Sequence, residues 1–113
     1  MTVDLLIHYI EKSHPMKFVP ISSTELFFLY WEPISTKLGL KYVPEFGKGL
    51  EIERDEITDV IDELQRLKKY ASSIIEKVDN DAASQAILSN IDWVILALQE
   101  VQADSSKVKL IFN

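Results

Sequence analysis

Acidic side chains concentrated in one short segment are the main chemical feature of this 113-residue sequence. Residues 51–63 hold seven carboxylates and one arginine, and their net charge of −6 equals that of the whole chain. These carboxylates could form the first turns of a helix, because the helix macrodipole stabilises negative charge at its start. They could instead form a surface that binds a basic partner through charge complementarity. Composition alone leaves both interpretations open.

The acidic residues of this segment recur at helical spacing. Asp55, Asp59 and Glu63 stand four residues apart, where like charges on a helix repel one another by roughly 0.2–0.5 kcal/mol per pair. A solvated helix face explains that repulsion less well than a face that meets a basic partner. Tyr70 lies further along the polar side, as aromatic residues do in interfaces and also on ordinary surfaces. The candidate partner-binding residues are Asp55, Glu56, Asp59, Asp62, Glu63 and Tyr70.

Residues suited to catalysis or metal binding are sparse. His8 lies in an alternating segment and His14 precedes a proline, and neither has an acid or a serine at a recognised motif spacing. The absence of cysteine removes thiol nucleophiles and thiolate metal sites. The turn at residues 79–81 lacks the glycine and the distal glutamate of an EF-hand loop. The sequence therefore predicts no catalytic residue, no metal site shared by the two histidines and no cofactor.

Length and composition predict one soluble domain spanning residues 1–113. Hydrophobic residues make up 47% and charged residues 27% of the chain, both close to the averages of globular proteins. The first residues lack the basic region of a signal peptide, and the longest apolar runs are six residues, against roughly 20 for a membrane span. We therefore expect a cytoplasmic protein that does not contact a membrane. The negative net charge also argues against nucleic-acid binding, which depends on cationic side chains.

Alternating apolar residues predict strands at both ends of the chain, over residues 3–9 and residues 108–112. Two further apolar runs, residues 40–43 and 49–52, flank a segment that contains a proline and a glycine. This arrangement predicts a β-hairpin with a five-residue loop.

A helix is predicted over residues 22–39. Ser22 and Glu25 match a capping box, in which the serine hydroxyl accepts from a helical amide and the glutamate reaches back to the serine amide. Apolar residues then follow at helical spacing up to Gly39, a residue suited to the left-handed stop of a helix. Pro33 lacks a backbone donor, so we expect a kink or a break just before it.

Two longer helices are predicted from about residue 55 to 78 and from about residue 82 to 102. Both segments carry an apolar stripe with the helical period. The turn at residues 79–81 is short, so the two helices should be antiparallel neighbours.

Two groups of apolar residues lie outside the apolar stripes of the predicted helices. Residues 26–31 are apolar without interruption, so a helix there must be covered on more than one side. Two residues of the last helix also point away from its main stripe. We expect a homodimer, or a partner groove, to cover one of these groups. The candidate oligomer contacts are Phe28, Leu29, Trp93 and Leu96.

These elements predict an α+β fold in which a small antiparallel sheet packs against a long antiparallel helical hairpin and a shorter kinked helix. We expect a non-enzymatic cytoplasmic interaction module that presents its acidic helical face to a basic protein partner. An immunity or antitoxin-like inhibitor is the most concrete form of this hypothesis. The alternative is a small ligand-binding domain or enzyme with a pocket between sheet and helices, near His8, Tyr9, Tyr30 and Trp31.

Overall fold

The sheet and helices expected from the sequence are present in the computed structural model of the protein. It describes residues 2–10, 16–77, 82–104 and 107–113, with side chains for all of these except 74–77 and 82–84. The architecture is α+β, as predicted. No helix in these described ranges is long and apolar enough to span a bilayer. The turn predicted at residues 79–81 lies outside the described residues, and so does His14.

A four-stranded antiparallel sheet forms one layer of the molecule. Its strands are Thr2–Tyr9 (β1), Lys17–Ser23 (β2), Leu50–Ile52 (β3) and Val108–Phe112 (β4). They lie in the order β2-β1-β4-β3, so β2 and β3 are the two edges. The strands predicted at both ends of the chain are therefore confirmed as the central pair.

One face of the sheet builds the core and the other faces outward. Along β1, Leu5 and Ile7 are fully buried, whereas Leu6 is half-buried and His8 is exposed. Successive side chains on a strand point to opposite faces, so this alternation puts every second residue of β1 against the helices. Phe18, which pairs with Leu6, shares the outward face and is 62% exposed.

The predicted hairpin over residues 40–52 is wrong. Val43–Lys48 forms a 3₁₀ helix, and β3 pairs with β4 instead of with residues 40–43. Pro44 explains part of this difference, because its fixed φ and missing N–H suit the first turn of a helix better than a strand. The backbone N–H groups that a hairpin ladder would need are bonded to the side chain of Glu63.

The first helix, α1, consists of three consecutive segments. They are α-helical Thr24–Leu26, π-helical Phe27–Trp31 and α-helical Glu32–Lys37. The interruption expected before Pro33 is therefore a π turn, in which the N–H of Glu32 bonds to the carbonyl of Phe27, five residues back. The backbone remains helical throughout, so no break occurs.

Both ends of α1 are fixed by short local interactions. The predicted capping box at Ser22 is wrong, because Ser22 is a buried residue of β2 whose hydroxyl donates to the carbonyl of Ser23. Ser23 is the N-cap, with an extended backbone and a side-chain oxygen that accepts from the N–H of Leu26 at 3.2 Å. At the other end Gly39 adopts a φ of 72°, the left-handed stop that the sequence predicts.

Two long antiparallel helices cover the inner face of the sheet. They are Ile57–Lys77 (α2) and Ala82–Ala103 (α3). Near the start of α2 and the end of α3, the amide of Gln102 donates to the hydroxyl of Thr58 at 2.9 Å, and near the middle of both helices Lys68 pairs with Asp92 at 2.6 Å. The predicted helical hairpin is confirmed over the described residues.

The core lies between these helices and the sheet. It includes fully buried residues from both long helices, Leu64 and Ile91 among them. Phe46 of the 3₁₀ helix stacks on Phe112 of β4 with ring centroids 3.9 Å apart. That contact fastens the segment between α1 and β3 onto the centre of the sheet.

Candidate functional site

The acidic segment forms the entry to α2 and its first turns. A short 3₁₀ turn, Arg54–Glu56, precedes the helix. Asp55, Asp59 and Asp62 are exposed, and their spacing of four and three residues keeps them on one side of the helix. Within the described part of the chain none of these three carboxylates forms an ion pair. We call Asp55, Asp59 and Asp62 the acidic face.

Glu56 has a local structural task beside this face. Its carboxylate accepts the N–H of Glu53 at 2.9 Å, and the Glu53 side chain accepts the N–H of Glu56 in return. This reciprocal pair is a capping box. The Glu56 side chain also lies near the hydroxyl of Tyr42 and helps to raise the pKa of that hydroxyl. Glu56 is thus half-buried and already hydrogen-bonded within the protein. For this one residue, the interpretation that the carboxylates form the start of a helix is the better supported.

Glu63 does not belong to the acidic face, and its assignment to an exposed partner-binding surface is wrong. The side chain is only 7% exposed. Its carboxylate oxygens accept backbone N–H groups from Lys41 at 3.0 Å, Tyr42 at 2.9 Å and Val43 at 3.1 Å. A buried carboxylate is tolerated when hydrogen bonds replace the water that it has lost. Glu63 therefore ties α2 to the segment that follows α1.

Tyr70 lies away from the acidic face, among basic residues. Its hydroxyl accepts a hydrogen bond from Nζ of Lys37 at 3.0 Å, and this bond raises the pKa of Lys37 above its ordinary value. Tyr70 also lines a shallow surface cavity together with Arg66 and Lys69. Eight residues of helix, about 12 Å, separate it from Asp62, the nearest member of the acidic face. Tyr70 therefore lies further along the same helix, next to basic residues and not among the carboxylates with which it was grouped.

The tyrosine that does approach the acidic segment is Tyr42. Burial raises the pKa of the Tyr42 hydroxyl, and the hydrogen bond to Glu56 and the negative charges of Glu56, Asp59 and Glu63 raise it further. Sequence reasoning missed this contact because residues 40–43 were predicted as a strand. The phenol has a single hydrogen to donate, and Glu56 is the carboxylate placed to accept it, whereas Asp59 and Glu63 act on it through their charge.

The four candidate oligomer contacts are all exposed, in two separate places. Phe28 and Leu29 lie on the π-helical part of α1 and are 43% and 59% exposed. The rings of Phe28 and Phe27 form a T-shaped contact with centroids 5.3 Å apart, and the Phe28 ring would lie 3.1 Å from a Cβ added at Gly47. Trp93 and Leu96 lie on α3 and are 63% and 47% exposed. The second pair is the more open, and it borders a groove.

This groove separates edge strand β2 from helix α3, and its volume is about 390 Å³. Val19 and Ala97 form buried parts of its lining, whereas Phe18, Trp93 and Leu96 are exposed along it. The sequence indicates a loop over residues 12–20 with at most a short extended stretch at residues 18–19, whereas the structure has a full strand, Lys17–Ser23, that carries Phe18. The available signal was Pro20, because a proline within an apolar run is typical of an edge strand.

The structure separates two of the residues that were expected to line a pocket. Trp31 is buried in the core, whereas His8 is exposed on the outward face of the sheet. Neither these two residues nor Tyr9 and Tyr30 line the groove between β2 and α3, the cavity at Tyr70 or the cavity at Arg54. Among the described residues, no three His, Asp or Glu side chains are grouped as metal ligands.

No protein-family model, no curated protein and no solved structure matches this chain. Function must therefore be inferred from the surfaces of the molecule itself. Two surfaces stand out by their chemistry: the acidic face of α2 and the apolar groove between β2 and α3.

Proposed function

We propose that this chain is a non-enzymatic, cytoplasmic protein-interaction module whose acidic face binds a basic surface on another protein. The observation that supports this proposal is the exposure of Asp55, Asp59 and Asp62 on one side of α2 without an ion pair among the described residues. An inhibitor of a basic protein, of the immunity or antitoxin kind, is its most specific form.

The physical reason is that these carboxylates gain little from the molecule itself. Those at four-residue spacing repel one another by roughly 0.2–0.5 kcal/mol, and only the first turn benefits from the helix macrodipole. The three residues extend over about 10 Å of helix. Lys or Arg side chains of a partner would relieve the repulsion, and the same field would raise the association rate before contact.

The test compares two variants of equal net charge. The first replaces the acidic face, as Asp55→Asn, Asp59→Asn and Asp62→Asn. The matched control removes three acids located elsewhere, as Glu25→Gln, Glu32→Gln and Glu45→Gln. Association rates with a partner identified by cross-linking are then measured at about 50 mM and about 300 mM salt, because screening weakens steering between exposed charges.

We expect the acidic-face variant to associate about ten-fold more slowly than the wild type at low salt, with a flatter salt dependence. The control variant should keep most of the wild-type rate. Equal losses for both variants would mean that net charge alone matters. Unchanged association rates for the acidic-face variant would contradict the proposal and favour the other interpretation, in which these carboxylates are only the solvated start of a helix.

A further inference from the structure

We propose that the groove between β2 and α3 binds an extended, uncharged apolar segment of a partner protein, which pairs with β2 as an additional strand. This inference goes beyond the proposed function, because the groove shares no residue with the acidic face. The groove is proposed to bind an apolar segment and the acidic face a basic surface. Each proposal can therefore be tested, and can fail, without the other.

The strand beside the groove has an open edge. Over the described residues β2 pairs with β1 alone and ends the sheet on that side. Edge strands present N–H and C=O groups that pair readily with another extended chain. At the far end of β2, the side-chain amide of Asn90 donates to the carbonyl of Ile21 at 2.8 Å, and Pro20 has no N–H to offer. The edge suited to pairing is therefore the first part of the strand, Lys17 to Val19.

The wall of the groove opposite β2 is largely apolar. Trp93 and Leu96 stand on α3 about one turn apart, and Ala97 lies beside them. Phe18 lines the groove from the edge of β2, with its side chain on the outward face of the sheet. A contiguous patch of large apolar side chains on a protein surface often marks an interaction site, whereas single exposed apolar residues are ordinary. An edge strand next to a helix with such residues is the arrangement in which strand addition supplies backbone hydrogen bonds and the groove accepts alternate side chains.

The charges of the groove favour an uncharged occupant. Among the described residues that line the groove, only Lys17 and Glu100 are charged, and they pair with each other at 3.3 Å. Neither therefore offers a free charge to a ligand in the way that the acidic face does. A basic segment would gain nothing from this neutral pair, whereas an apolar segment would cover Trp93.

The exposed area favours a short segment over a second copy of the chain. A large aromatic side chain presents about 150–250 Å². The exposed parts of Phe18, Trp93 and Leu96 therefore amount to roughly 400 Å². A stable protein–protein interface buries about 800 Å² on each partner, so a dimer built on this groove would fall well short. A segment of five to seven residues, by contrast, matches this area, and three of its residues are enough to pair along the free edge from Lys17 to Val19.

The test uses a displayed library of random peptides selected against the wild-type protein. Selected peptides are synthesised and their affinities measured for the wild type, for Trp93→Ser with Leu96→Ser, and for a control variant, Ile10→Ser with Leu29→Ser. The control replaces residues of 58% and 59% exposure outside the groove. Far-ultraviolet circular dichroism and thermal unfolding establish that both variants remain folded.

We expect the selected peptides to share alternating apolar residues and few charges, and to bind the groove variant at least ten-fold more weakly than the control. Only every second N–H of an added strand faces β2. Methylating the backbone N–H groups at odd positions of a selected peptide, or those at even positions, should therefore weaken its binding in one of the two cases and leave it unchanged in the other. Amide shifts in nuclear magnetic resonance spectra should map to Lys17, Phe18 and Val19.

Three results would overturn the proposal. The first is a selection that yields no peptide above background. The second is a set of peptides whose binding tolerates the groove variant as well as the control variant. The third is concentration-dependent dimerisation of the wild type in sedimentation that is lost in the groove variant, because a second copy would then occupy the groove. None of these results bears on the acidic face.

Discussion

Glu63 receives the backbone N–H of Tyr42 on both of its carboxylate oxygens, at 2.9 Å and 3.2 Å. The neighbouring N–H groups of Lys41 and Val43 donate to the same carboxylate. Three successive amides at the start of the 3₁₀ helix are thus satisfied by one side chain from α2. Such amides have no partner within their own helix, so Glu63 supplies what the local backbone lacks.

Replacing this carboxylate should destabilise the protein strongly. Glu63→Ala leaves the buried N–H groups of Tyr42 and Val43 and the part-buried N–H of Lys41 without this acceptor. It should lower the free energy of unfolding by about 3 kcal/mol or more, since each bond to a charged group contributes about 1.5–3 kcal/mol. Glu63→Gln keeps one acceptor oxygen and should lose less. Urea denaturation measures both. The exposed neighbour Asp62→Asn should change stability by no more than about 0.5 kcal/mol. A Glu63→Ala variant as stable as Asp62→Asn would contradict the assigned role.

The misplacement of Glu63 shows what periodicity leaves out. A helical wheel assigns charged residues to solvent, and the partners of this carboxylate lie 20 to 22 residues earlier in the chain. One local sign was available: Val60, Leu64 and Leu67, its neighbours on the helix, are all core residues. That position borders the buried stripe, where a long acidic side chain can reach across to another element.

The elements predicted correctly are those whose pattern is long or strictly local. Both long helices and the two central strands follow from periodicity, and Gly39 from its freedom to adopt positive φ. The edge strands were predicted less well, for different reasons. Pro20 interrupts the pattern of β2, so only a short extended stretch at residues 18–19 is indicated there. Residues 49–52 were predicted as a strand but with the wrong partner, because β3 pairs with β4, more than 50 residues further along the chain. Such non-local pairing leaves no mark in a short window of sequence.

The acidic face was predicted in part. Asp55, Asp59 and Asp62 are exposed as expected, whereas Tyr70 lies with Arg66 and Lys69. The groove could not be predicted, because it forms only where β2 and α3 meet. Residues far apart in sequence create a surface that no single element carries.

Ser23 should act as the cap of α1. Its side chain is exposed and accepts the N–H of Leu26, so Ser23→Ala should lower the free energy of unfolding by about 0.5–2 kcal/mol. Ser23→Asn preserves an acceptor at this position and should remain close to the wild type. Denaturation midpoints of the two variants test this prediction. Identical midpoints would show that the Ser23 side chain does not stabilise the helix as a cap.

The contact between the long helices and the sheet should dominate stability. Leu64 and Ile91 are fully buried, one on each long helix, so Leu64→Ala and Ile91→Ala should each cost about 2–5 kcal/mol through lost burial and the cavity that remains. The exposed Gln65→Ala serves as the control on α2. Calorimetric unfolding should show clearly lower midpoints for the two core variants, and a midpoint near that of the control would contradict the packing described.

Tyr42 should make the protein less stable at alkaline pH. Its burial, the bond to Glu56 and the nearby carboxylates raise its pKa in the folded state above the ordinary value of 10. The unfolded phenol therefore loses its proton first, and the folded state binds more protons between the two pKa values. Stability from this group is complete below about pH 10 and falls as the pH rises through the folded pKa.

Tyr42→Phe removes this titration, and with it the hydrogen bond to Glu56. We therefore expect the variant to be less stable than the wild type near pH 8 but to lose stability less steeply above about pH 10. Some slope will remain, because the pKa of Lys37 is raised as well. Urea denaturation at stepped pH gives the two slopes, and phenolate absorbance compared between the variant and the wild type locates the titration of Tyr42. Parallel stability curves in this range would show that the Tyr42 hydroxyl is as free to ionise in the folded protein as in the unfolded chain.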